Sequence, residues 1–215
     1  MTAASGQVTL LVIAKEPVPG RVKTRLTPPY TRQEAAAPAE ASLSDTLAAM
    51  LRVSARRRVL VLNVKPGRWL PPGFDVVPQV SGGLDEQIAG AFAVRDNGPA
   101  LLVDMDTPQL TVNQPADNGE DGHDAWFGPS ADGGFRALGL ADPFLAGSLV
   151  RGVPMSTDRT GAAQRRSLVE AGLSVRDLPL LRDVDTAADA ASAVGLCPPG
   201  SRFAAVLASF SEVAR

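Results

Sequence analysis

Arg21, Lys23 and Arg25 stand at alternate positions just after Gly20, three cations within five residues. Lys and Arg neutralise phosphate oxygens and a glycine lets the backbone come close, so the spacing suits a diphosphate or triphosphate. The same triplet also reads as ordinary solvated charge on a surface loop. In "LLVDMDTPQL", Leu101 to Leu110, an apolar run ends in Asp104 and Asp106. Positions i and i+2 of a strand share one side, and two carboxylates there are hard oxygen ligands for Mg²⁺ or Mn²⁺. Asp132, in "GPSADGGF", is flanked by small residues. Its turn either brings a carboxylate and open backbone against a ligand or is simply a tight hairpin. In "RDVDTAADA", Asp183 can reach the same metal if its loop faces the same edge, whereas Asp185 and Asp189 read as carboxylates at a helix start.

These side chains need elements to carry them. Strand-like runs are Val8 to Ala14, Val59 to Val64, Asp75 to Pro78, Ala100 to Val103, Ala125 to Gly128, Phe135 to Leu140 and Val175 to Leu180. Several are apolar throughout, as in a sheet covered on both faces. Helical patterns lie between them, which argues for a mainly parallel α/β sheet. Thr31 and Glu34 form a capping-box pattern, but Pro38 places the regular part of that helix after it, towards Ser54. Asp85 to Val94 reads as a short helix. Asp158 is the expected cap of Arg159 to Ala171, with Gly172 as its stop. Thr186 caps a short Ala-rich helix to Val194, ended by Gly195. Ser201 caps the last one, with Phe203, Val206, Leu207, Phe210 and Val213 at helical spacing. The acidic stretch Thr111 to Asp124 has no apolar stripe and reads as a mobile loop, with His123 solvated inside it.

The 215 residues favour one domain over residues 1–215, and 45% hydrophobic content is ordinary for a globular chain. A net charge of −2 provides no global field for nucleic acid, so the basic loop is local. One cysteine, Cys197, excludes an internal disulfide and a Cys-based zinc site, and one histidine excludes His-cluster chemistry. No apolar run approaches the roughly 20 residues of a membrane span, and no basic segment precedes the first one. A cytoplasmic location is expected.

The ordered set "AKEPVPGRVKTRL", "DTPQL", "GPSADGGF", "STDRTGAAQ" and "DVDT" resembles bacterial proteins of the DUF2064 group. The likeness runs from about Val8 to Val194. These proteins are described as glycosyltransferase-like, with the GT-A nucleotide-diphospho-sugar transferase fold, and are more distantly similar to MobA-like and CofC-like nucleotidyltransferases. The resemblance implies a Rossmann-like three-layer α/β sandwich with a mixed, mainly parallel sheet, binding a nucleotide through its phosphates together with a divalent metal. It implies that Lys15, Arg21, Lys23 and Arg25 are the nucleotide-binding cations. Asp106 matches the metal-ligating aspartate, Asp132 the aspartate of the Asp-Gly-Gly turn, and Asp183 the first aspartate of the late motif. Asp104 stands where the family usually has Gly, Arg136 where an aromatic residue is common, and the loop Thr111 to Asp124 where a helix is usual.

The leading expectation is a metal-dependent transfer from a nucleotide-activated sugar to a small-molecule acceptor. Asp106, with Asp104, would hold Mg²⁺ or Mn²⁺ on the diphosphate, the loop cations would stabilise the leaving group, and Asp132 would serve as base or orient an acceptor hydroxyl. Nucleotidyl transfer from an NTP with release of pyrophosphate is the alternative, and a catalytically degenerate nucleotide-binding protein the third reading. Lys23 is expected to be exposed, so that its removal would weaken nucleotide binding more than folding.

Overall fold

The computed structural model describes residues 8–63, 66–94, 97–111 and 122–213. Seven strands form one sheet: β1 (Thr9–Ile13), β2 (Arg57–Val61), β3 (Asp75–Val77), β4 (Ala100–Asp104), β5 (Ala125–Pro129), β6 (Phe135–Leu140) and β7 (Val175–Asp177), in the order β3-β2-β1-β4-β6-β5-β7. Only β6 runs against its neighbours β4 and β5. The mixed, mainly parallel sheet expected from the alternating pattern is therefore present.

Both faces of β1 are covered, so alternation of side chains does not show as alternation of polarity. Leu10 and Val12 pack with Leu43, Leu47 and Met50 on one face. Leu11 and Ile13 pack with Ile88 and Phe92 on the other. The first face is covered by α1 (Arg32–Arg52), with α6 (Arg202–Val213) against it. The second is covered by α2 (Leu84–Ala93), α3 (Ala146–Val150) and α4 (Thr160–Glu170), while α5 (Ala187–Val194) adjoins α6.

Helix starts explain themselves locally, with two corrections. The Thr31–Glu34 capping box forms, and α1 begins at Arg32 and continues through Pro38 rather than starting after it. Pro38 lacks the N–H that would bond to the Glu34 carbonyl. The box and the long buried face of α1 outweigh that loss. Asp158 does not cap α4: the residue before the helix is Arg159, with no side-chain cap, and Thr160 Oγ1 instead takes the Thr157 N–H at 3.0 Å. Thr186 caps α5 through a full box with Asp189. Ser201 Oγ accepts the Ala204 N–H at 3.1 Å, and the Asp45 carboxylate takes the Arg202 and Phe203 N–H groups, each at 3.0 Å. Cys197, half-buried, donates to the Ala193 carbonyl. Val64 and residues 112–121, hence most of the expected mobile loop, lie outside the described residues, and the side chain of Val213 is not described. His123, just after that stretch, is half-buried.

Among the described residues no helix is long and apolar enough to cross a membrane.

Candidate active site

The parallel strands β1 and β4 end side by side, with Ile13 opposite Asp104 in register. Beyond them the chain leaves the sheet at its carboxyl edge, where α/β folds bind ligands. Two adjoining cavities of about 240 and 370 Å³ lie there, sharing Lys15, Arg25, Asp104, Asp106 and Asp185 in their walls. The smaller adds Arg21 and Lys23, with Gln79 and Gln87. The larger adds Asp132, Asp183 and Arg136. Every site residue expected from the sequence thus comes to one edge.

The late aspartates arrive by a backbone clamp. Ser130 and Leu181 form an isolated parallel bridge beyond β5 and β7. The Val184 N–H donates to the Asp106 carbonyl at 3.1 Å, and the Gln109 amide to the Arg182 carbonyl at 2.7 Å. Gln109 is buried, so the Gln of "DTPQL" joins the segment bearing Asp106 to the one bearing Asp183. Met105, pointing away from its acidic neighbours, takes the Lys15 N–H on sulfur at 3.1 Å and the Ser42 hydroxyl on its carbonyl at 2.9 Å. This pins β1, α1 and β4 together under the site.

Lys23 corrects the expectation of an exposed cation. Its side chain is 4% exposed, its backbone is left-handed at φ +50°, and Nζ lies 2.6 Å from Asp106 Oδ2 and 3.2 Å from Asp185 Oδ1. Burial opposes its charge, yet Asp106 and Asp185 outweigh that and hold its pKa above the usual lysine value. Arg25 is 72% exposed and reaches Asp185 at 3.3 Å. Lys23 is thus a strut between carboxylates in the wall of the smaller cavity, and Lys15, Arg21 and Arg25 are the other cations that this N-terminal segment brings to the cavities. Asp185, expected from the sequence to serve a helix start, faces the site instead, because the Thr186–Asp189 box closes α5 without it. Its i, i+2 spacing from Asp183 is the one signal that would have found it.

The carboxylates crowd one another. Asp104 is pushed well above the usual range by burial and then by Asp106 and Asp183. Burial, with repulsion from Asp106 and Asp132, pushes Asp183 up to about 7. Asp106 Oδ1 and Asp183 Oδ1 are buried and make no hydrogen bond of good geometry among the described residues, although the Ser130 hydroxyl beside Asp183 favours its charged form. Also among these residues, no three His, Cys, Asp or Glu side chains converge as a finished metal cage. Mg²⁺ is commonly held by one or two carboxylates plus substrate phosphates. Two orphaned hard oxygens amid mutually repelling carboxylates fit that mode.

Asp132 sits on the turn after β5, with Oδ1 taking the Gly134 N–H at 2.8 Å. Arg136, expected to depart from an aromatic position, is a 1% exposed residue whose Nη2 donates to the Pro179 carbonyl at 2.8 Å. Burial pulls its pKa down to about 10, against the attraction of Asp183.

Solved structures share this architecture. A provisionally named nucleotide-diphospho-sugar transferase from Desulfovibrio desulfuricans G20 matches with a TM-score of 0.85 at 24% identity, over 96% of each chain. Rv0371c from Mycobacterium tuberculosis H37Rv matches at 0.54 and 21% identity, over 89% of this chain and 98% of that one. The 2-C-methyl-D-erythritol 4-phosphate cytidylyltransferase from Thermus thermophilus matches at 0.53 and 15% identity, over 88% and 98%. No curated protein matches the sequence. The fold is therefore the three-layer α/β arrangement of nucleotide-diphospho-sugar transferase structures. Residues 38–157 match the model of DUF2064, described as uncharacterized protein conserved in bacteria. The chain belongs to that family. The matched stretch contains Asp104, Asp106 and Asp132, while the basic loop precedes it and Asp183 follows it.

Proposed function

We propose that this chain is a transferase that uses a nucleotide-activated sugar with help from Mg²⁺ or Mn²⁺. The observation that carries the reading is the pairing of unpartnered Asp106 and Asp183 oxygens with Lys15, Arg21 and Arg25 around adjoining cavities. Asp106 and Asp183, with Asp104 beside them, would hold the cation, which when bound supplies Lewis-acid help to the diphosphate. Lys15, Arg21 and Arg25 bind the phosphate oxygens and answer the charge that grows on the departing nucleoside diphosphate. Lys23 keeps Asp106 oriented. Asp132, with one oxygen on the Gly134 N–H, presents the other to an acceptor hydroxyl and takes its proton. The hydroxyl oxygen forms the new bond to the anomeric carbon, and the old carbon–oxygen bond breaks with its electron pair going to the diphosphate.

Nucleotidyl transfer is a second reading, favoured by the likeness to a cytidylyltransferase fold and by a cavity whose cations would equally hold β- and γ-phosphates. Product analysis separates the two. With Mn²⁺ and a panel of nucleotide sugars and NTPs, the first reading expects a nucleoside diphosphate as product. Pyrophosphate release from an NTP would install the second instead. Asp106→Asn is expected to lower turnover at least a hundredfold and to abolish Mn²⁺-dependent protection by nucleotide, protection being read against the variant's own melt, which falls because Lys23 loses its nearest carboxylate partner. If no nucleotide or metal protects the wild type, the chain is a scaffold that has lost its ligand.

A further inference from the structure

The larger cavity has walls of two kinds. Leu84, Phe135 and Met155 make an apolar side. Asp132 and Asp158 also line the cavity, on segments brought together by two glycines. A Cβ on Gly133 would lie 2.1 Å from the Asp158 carbonyl oxygen, and one on Gly161 would lie 2.4 Å from the Gly134 carbonyl oxygen. The Gly161 N–H closes the junction on the Gly133 carbonyl at 2.8 Å. Between them Ser156, also in the cavity wall, holds a left-handed backbone at φ +59°, a conformation that costs a non-glycine residue energy and tends to persist at ligand sites.

Outside the wall shared with the smaller cavity, the ionisable lining is Asp132, Asp158, Asp183 and Arg136. The one cation is committed elsewhere: Arg136 is bonded to the Pro179 carbonyl and drawn to Asp183. Its Nε is buried without a partner among the described residues, leaving one unanswered donor beside several acceptors. A phosphate or carboxylate would answer that donor while adding negative charge beside Asp132 and Asp158, the two acidic lining residues not given to the cation. A hydroxyl answers both kinds of group, because its oxygen accepts from N–H and its proton goes to a carboxylate. The C–H face of a ring or chain of carbinols would pack on Phe135 and Met155.

We propose that the larger cavity is the acceptor subsite and takes a neutral polyhydroxy compound, a sugar or sugar alcohol, in preference to a phosphorylated or carboxylated one. This rests on the transferase reading above and names its second substrate class.

The test uses the full chain with matched pairs: methyl α-glucoside against glucose 6-phosphate and glucuronate, and glycerol against glycerol 3-phosphate. Binding is read by saturation-transfer NMR, with no donor needed. Turnover is read as nucleoside diphosphate released from UDP-glucose and GDP-mannose with Mn²⁺. Neutral members are expected to bind and to accelerate release at least tenfold more than their charged partners. Asp158→Lys, on an exposed side chain, is expected to shift that ratio at least tenfold toward the phosphorylated members, and Asp158→Asn to shift it part of the way. Equal or better binding of the charged members by the wild type overturns the proposal, as does binding of neither. If no nucleotide or nucleotide sugar binds or is cleaved, the transferase reading falls, and the NMR comparison still decides what the cavity prefers.

Discussion

Lys23 shows how one side chain's meaning depends on where its backbone turns. The sequence places it midway along a basic triplet, and nothing in alternation distinguishes it from Arg21 and Arg25. In the structure Arg25 is 72% exposed while the Lys23 side chain is 4% exposed against Asp106 and Asp185. Removing one member of such a group leaves charge behind in a poorly solvated place. Lys23→Met keeps the stem and removes the ammonium. It is expected to cost about 2 kcal/mol or more in urea denaturation, with Asp106 being 22% exposed and so partly relieved by water. Arg25→Ala is expected to cost about 0.5 kcal/mol or less. Equal losses for the two would show that Lys23 is no strut. The acidic residues were easier to read. Asp104 ends β4 and Asp106 lies just beyond it, and both face the cavities. Asp185 was missed because proximity to a Thr cap offered it a local role that Asp189 in fact fills.

At the scale of elements, strands and caps were legible because their causes are local. Largely apolar runs place β1, β4 and β6 nearly to the residue, the Thr31–Glu34 box forms, and Thr186 caps α5 as expected. What failed was decided by distant partners. Pro38 stays inside α1 because its helix has a long face to bury. Asp158 leaves the α4 cap to the threonines while its backbone is pressed against Gly133. Those glycines give a test whose sign is informative. Alanine favours a helix over glycine by about 1 kcal/mol, and Gly161 lies within α4 with no left-handed backbone. Propensity alone would make Gly161→Ala stabilising. The 2.4 Å approach to the Gly134 carbonyl makes it destabilising instead, by about 2 kcal/mol, since rigid backbone must give way. Gly195→Ala, with nothing within 4 Å, serves as the control and is expected to change the melt little. A stable Gly161→Ala variant would mean that the Asp132 turn and α4 are not clamped together.

For the whole molecule, the two cavities predict mutual dependence of ligands. Two carboxylates form half a cation site and the loop cations half a phosphate site, so each ligand completes the other's. A nucleoside diphosphate together with Mn²⁺ is expected to raise the melting temperature by more than the sum of the separate shifts. At a hundredfold excess over Kd the gain is about 2.7 kcal/mol, or about 5–10 °C for a chain of this size. Chelation should return the melt to that of the free protein, and additive shifts would mean two independent sites.

The Val184 N–H bonded to the Asp106 carbonyl ties the site to the order in which the protein is made. When the chain has been synthesised as far as Thr157, it already holds the basic loop, Asp104, Asp106 and Asp132. It still lacks Asp183 and Asp185, the α4 segment that braces the Asp132 turn, and the bonds that draw the late segment beneath β4. Lys23 at that moment lacks one of its two carboxylate partners. A nascent chain therefore carries the charges of the site without their arrangement. The cavities take their final form only once the segment bearing Asp183 and Asp185 has emerged and bonded to the Asp106 carbonyl.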